Sequence, residues 1–141
     1  MKIIGFNFNK ISAEKTSNQI KGLKITTNID ISEIKEIESD FLKTKEELIE
    51  INFKYDVVYN TDIAKIEFKG NLIISLESKL KKDILKQWKD KTLSDELKLP
   101  LFNVILRKSN LRALQLEDEM NLPLHISLPM LRKEDKKEKK E

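Results

Sequence analysis

The sequence contains no cysteine, one histidine, three glycines and three prolines. Each scarcity removes a class of chemistry. Without cysteine there is no disulfide framework, no thiolate zinc site and no cysteine nucleophile. The single histidine, His125, excludes a His-based metal cage and leaves a His-dependent triad one candidate. Glycine occurs only at 5, 22 and 70, so no Walker loop, dinucleotide-binding loop or nucleophile elbow can be assembled. No stretch approaches the ~18 apolar residues of a membrane span. Asn7, Asn9 and Lys10 interrupt the opening Met1-Lys2-Ile3-Ile4 before a signal-peptide core develops. These absences predict a cytoplasmic protein with no catalytic residues, cofactor or metal and no stable membrane insertion.

Charge is plentiful but balanced. The 141 residues carry 27 Lys+Arg against 24 Asp+Glu, a net +3. The last ten, Arg132 to Glu141, hold six positive and four negative groups, which leaves +1 on the body. A balanced body argues against a dedicated nucleic-acid surface. The length predicts one domain, 1–131, large enough to bury a core. The apolar-free end, 132–141, reads as a charged disordered tail.

The first two thirds alternate with period two, the signature of half-buried antiparallel strands. Ile4, Phe6 and Phe8 open a strand over about residues 3 to 13. Leu23 through Ile31 keep odd parity, as do Ile49 through Tyr59; Ala64 through Leu76 keep even parity. Asn60-Thr61-Asp62 joins the last two as a hairpin. Gly70 stands on an apolar strand face, where a bulge or a close backbone approach is expected. Parity fails between Ile31 and Glu46, and this segment is read as an irregular crossover bearing Ile34, Ile37, Phe41 and Leu42.

The last third changes period. Leu80, Ile84, Leu85 and Trp88 form a stripe on a Lys-rich helix over Ser78 to Thr92. Ser94 offers a cap for a second helix, with Pro100 near its first turn. Phe102, Ile105, Ser109, Ala113, Leu116 and Met120 repeat at helical spacing. So wide an apolar face predicts cover by the sheet on one side and by a second subunit on the other. Asn121 and Pro123 end the helix. Glu117-Asp118-Glu119 reads as a solvated acidic run, and His125 as a satisfied or exposed histidine. Leu122 to Pro129 is apolar and bracketed by prolines, so it runs extended along the body.

The order of these pieces resembles the SecB family of export chaperones, from roughly Phe6 to Leu131. Glu67-Phe68-Lys69-Gly70-Asn71-Leu72-Ile73-Ile74 is similar to the family's Gly-containing stretch. Pro100-Leu101-Phe102-Asn103 opens the main helix as the family does. Leu122-Pro123-Leu124-His125-Ile126-Ser127-Leu128-Pro129 matches its apolar, proline-spaced helix exit. Gly70 stands alone where the family shows two glycines, and the charged tail replaces a further amphipathic helix. The resemblance implies an α+β fold, a four-stranded antiparallel sheet with helices packed on one face, assembled as a homotetramer, a dimer of dimers. It implies an ATP-independent holdase that binds unfolded or nascent chains in apolar grooves, possible service in export included. The candidate groove residues are Ile34, Ile37, Phe41, Leu42, Trp88, Leu124, Ile126 and Leu128. The oligomer interface is expected at Phe102, Ile105, Ser109, Ala113, Leu116 and Met120. The alternative is an oligomeric adaptor or antitoxin-specific chaperone with one dedicated partner. Nucleic-acid binding through the Lys79–Lys91 helix and the tail is a third reading, disfavoured because Trp88 looks inward.

Overall fold

The computed structural model describes residues 1–18, 22–38 and 47–131. Four strands, β1 (Lys2–Lys15), β2 (Ile25–Ile37), β3 (Glu47–Tyr59) and β4 (Ala64–Leu76), precede α1 (Ser78–Trp88) and α2 (Asp95–Glu119). The strands form one antiparallel sheet in the order β1-β4-β3-β2. The architecture is α+β, with both helices on one face of the sheet.

Parity decides which face each side chain takes. The even residues of β4 and the odd residues of β3 are buried almost without exception. Ile84 of α1 and Leu101 and Ile105 of α2 cover one end of that layer, and Ala113 with Leu122 covers the other. The opposite face is polar. There Glu67 accepts from Lys10 at 2.8 Å and lies 3.0 Å from Lys65, Asn28 donates to Asp56 at 2.7 Å, and Asn71 donates to Glu50 at 3.1 Å.

The failure of parity after Ile31 is a β-bulge, not a crossover. Ile31 pairs with Phe53 and Glu33 with Asn52, so Ser32 is an extra residue. One inserted residue flips every later side chain to the other face. Ile34 therefore continues the buried face opposite Ile51, and Ile37 turns to the polar side opposite Leu48. Phe41 and Leu42 lie outside the described residues, as does the tail 132–141. The crossover falls instead between β1 and β2, which are opposite edges of the sheet. At the β3–β4 turn, Thr16 N–H donates to Ile63 O at 2.7 Å and Asn60 N–H to Lys24 O at 3.0 Å.

Two further bulges, at Ile4 and Asn9, interrupt the β1–β4 register. The second faces Gly70, whose missing side chain is required. A Cβ there would collide with Asn7 O and stand 2.7 Å from Phe53 Cζ. The space goes to the Phe53 ring, which packs 5.3 Å from Phe6 between centroids.

Helix α2 lies on the sheet through a strict four-residue stripe: Leu101, Ile105, Ser109, Ala113 and Glu117. Small side chains at Ser109 and Ala113 let the helix pass close above the Tyr55–Phe68 stack, whose centroids are 5.5 Å apart. Ile105, Ser109 and Ala113 are thus wholly buried within the chain, with no surface left for a second subunit. Phe102, Leu116 and Met120 are half-buried. Pro100 falls at the sixth helical residue, a turn later than expected, and Ser94 makes no side-chain cap.

Candidate functional site

The C-terminal end of α2 sets the position of the apolar segment that follows it. Asn121 takes a left-handed conformation with φ 55°. Leu122 N–H donates to Glu117 O at 2.8 Å and Asn121 N–H to Asp118 O at 3.3 Å. This is a Schellman stop, and Leu122 is its buried apolar partner. Pro123 then prevents the helix from resuming.

Three residues later the chain is anchored a second time. The side chains of Glu117 and His125 are 0% and 2% exposed, and His125 Nδ1 lies 2.6 Å from Glu117 Oε2. The His125 backbone N–H donates to Glu117 Oε1 at 2.9 Å. On the other side of the ring, Nε2 is 3.1 Å from Asn110 Oδ1 and 3.1 Å from the Tyr55 hydroxyl. Tyr55 in turn donates to Asn110 Oδ1 at 2.6 Å. Tyr59 completes the anchor by donating to Pro123 O at 2.6 Å. Burial, reinforced by the Glu117 carboxylate, holds both phenols well above their ordinary pKa. Glu117 is thus no part of a solvated acidic run: it is the innermost residue of the α2 stripe.

Beyond the anchor the chain leaves the body. Leu124 is half-buried, whereas Ile126, Leu128, Met130 and Leu131 are 38%, 52%, 72% and 81% exposed. Apolar side chains at four of six successive positions are thus open to solvent next to a rigidly fixed histidine.

A second opening lies where α1 meets α2. Lys91, with φ 57°, turns the chain between the helices, and Gln87 Oε1 accepts from Ser94 N–H at 2.7 Å. The turn leaves a cleft of about 220 Å³ beside the edge strand β2, floored by Ile31, Leu93, Trp88 and Phe102. Lys91 Nζ sits 4.9 Å from the Trp88 ring centroid and Lys98 Nζ 5.1 Å from that of Phe102. The Trp88 indole N–H is buried and meets no acceptor among the described residues.

By sequence, no family model and no curated protein matches the chain. By structure it is similar to Rv1957, a SecB-like chaperone of Mycobacterium tuberculosis solved in complex with a ChAD peptide from the Rv1956 HigA1 antitoxin. The similarity covers 93% of this chain and 87% of that one, with a TM-score of 0.53 and 11% identity. The fold is SecB-like. At that identity the likeness is one of fold.

Within the SecB-like fold, the expected groove residues do not converge on one place. Ile34 is 6% exposed and belongs to the core, and Ile37 is on the other side of the sheet. Trp88 shares its cleft with Phe102, which the helical stripe had suggested for subunit contact. Leu124, Ile126 and Leu128 stand together near the far end of α2. Fifteen helical residues separate Phe102 from Glu117, about 22 Å of axis. Sequence reasoning missed the anchor: Tyr55, Asn110, Glu117 and His125 lie on three elements and converge only through the fold. One signal was legible, the i+4 row from Leu101 that ends on Glu117.

Proposed function

We propose that this protein is an ATP-independent chaperone that holds polypeptides in an unfolded or extended state. The observation that carries the reading is the SecB-like fold joined to an apolar segment, Ile126–Leu131, fixed at one end and open to solvent. Burial of apolar area is worth about 25 cal/mol per Å² and is non-directional, so such a surface accepts many sequences. The outer edge of β2, unpaired among the described residues, adds a second means of holding an extended chain, by backbone pairing. Client contact is assigned to Trp88, Leu124, Ile126 and Leu128, with subunit contact through the half-buried Phe102, Leu116 and Met120 of α2. The working form is a cytoplasmic homotetramer that acts by binding rather than catalysis.

In an aggregation assay without ATP, an equimolar amount of the protein should suppress light scattering by a chemically unfolded client. Absence of suppression at any ratio refutes the proposal. A second reading, a chaperone dedicated to one antitoxin or adaptor partner, has its own support. The similar Rv1957 was solved with an antitoxin peptide. Client range separates the two: a pull-down dominated by one protein favours the dedicated form, and a broad client set favours the general holdase.

A further inference from the structure

We propose that the cleft between α1, α2 and the β2 edge selects client segments in which a large apolar or aromatic side chain is flanked by carboxylates. The inference rests on the chaperone reading and names the client chemistry that one site prefers. Its volume, about 220 Å³, exceeds the ~150 Å³ of an engineered apolar cavity that accommodates benzene, so one aromatic or branched side chain fits. The floor of Ile31, Leu93, Trp88 and Phe102 is apolar, as such a side chain requires.

The rim decides the sign of what lies beside it. Asp30 also borders the cleft, but its register opposite Lys54 places it among the residues of the polar face of the sheet. Asp90 and Asp95 flank the same connection in sequence without lining the cleft. The charged side chains over the opening are therefore Lys91 and Lys98. Neither forms an ion pair among the described residues; each rests over an aromatic ring of the floor. A carboxylate next to the inserted side chain meets two uncompensated ammonium groups, whereas a lysine or arginine there meets like charge. The β2 edge beside Ile31 keeps the client extended, which sets alternate side chains toward and away from the cleft.

Trp88 is the only tryptophan, so its emission reports on the cleft directly. Two tryptophan-free peptides are titrated into the full-length protein, one with phenylalanine and leucine flanked by glutamates and one with the same core flanked by lysines. The acidic peptide should shift Trp88 emission and bind about tenfold more tightly at low salt, with the difference shrinking as screening increases. The Lys91→Glu/Lys98→Glu double variant, altered only at exposed positions, should invert the preference while its far-UV circular dichroism stays unchanged. Equal or tighter binding of the basic peptide, or no response to either peptide, overturns the proposal. Aggregation suppression is measured on the same samples. If suppression persists while the peptides fail, the cleft assignment is wrong and the chaperone reading stands; if suppression is absent too, the chaperone reading falls with it.

Discussion

Replacing His125 by alanine isolates the buried anchor from everything else the C-terminal segment does. In the native protein the Glu117 carboxyl has no solvent contact, and His125 Nδ1 lies against it at 2.6 Å. Alanine removes that ring nitrogen, together with the contacts to Asn110 and Tyr55, but keeps the backbone N–H that donates to Glu117 Oε1 at 2.9 Å. Removing one partner of a buried hydrogen bond costs about 1–3 kcal/mol because the other group stays buried and under-satisfied. The His125 ring contacts Glu117, Asn110 and Tyr55, which places the expected loss near the upper end, about 3 kcal/mol. With a urea slope of about 2 kcal/mol per molar, the midpoint should fall by about 1.5 M. The melts are run at one fixed protein concentration, since self-association would make stability concentration-dependent. The control is the double variant Glu117→Leu/His125→Leu, in which no polar side chain of the pair remains to be buried. It should recover most of the loss, because apolar replacement of a whole buried pair is commonly neutral. A single-variant loss below about 1 kcal/mol, or a double variant less stable than the single, would refute the argument that the buried Glu117–His125 contact holds the segment in place.

Three other perturbations test separate parts of the structure. Gly70→Ala forces a Cβ against Asn7 O and the Phe53 ring; the variant should lose about 2 kcal/mol in urea melts, the cost of over-packing, and an unchanged midpoint would contradict the close approach. Lys10 and Lys65 hold the Glu67 carboxyl down at about 2, below its ordinary 4.5. Because the folded value is the lower one, this stabilisation is present above pH 4.5 and is lost as the pH falls toward 2. Both lysines are about half exposed, so the contribution is about 1 kcal/mol. The gap in unfolding free energy between wild type and Glu67→Gln should close between pH 5 and 2, and a gap constant across that range would exclude the linkage. Leu128→Asp/Met130→Asp changes two exposed side chains and should weaken client binding about tenfold or more in a peptide titration with the urea midpoint unmoved; full retention of binding would remove this segment from the client surface.

Most of the fold was legible because antiparallel strands with one buried face write their structure as parity. The fourth strand, Ala64 to Leu76, and the β3–β4 hairpin could be read residue by residue. Parity is also fragile. A single extra residue at Ser32 turned the rest of β2 from an odd to an even pattern, and the segment after Ile31 consequently read as an irregular crossover. Nothing in the local sequence announces such a bulge, since Ser32 is an ordinary exposed polar residue. Ile34 was consequently expected at a client groove, although its partner Ile51 places it in the core. The helical stripe of α2 was read correctly as apolar, but sequence carries no information on how much of that width one sheet can cover. Here the chain's own sheet covers Ile105, Ser109 and Ala113 completely.

Composition misled most where charge is buried. Glu117 stands in a run of three acids, and two of the three, Asp118 and Glu119, are exposed. What distinguishes Glu117 is its place in a four-residue row that begins with Leu101, together with a histidine eight residues later that can reach back only because Asn121 and Pro123 reverse the chain. Both facts are in the sequence, and neither acquires meaning until the helix is laid on Tyr55 and Tyr59. The anchor in turn explains why a segment as apolar as Ile126 to Leu131 stays at the surface. It is held from the side of His125 by polar groups that cannot slide, so it is prevented from collapsing onto the core that its composition favours. A buried polar contact inside the body thereby keeps an apolar surface outside it, the arrangement on which the proposed client binding depends.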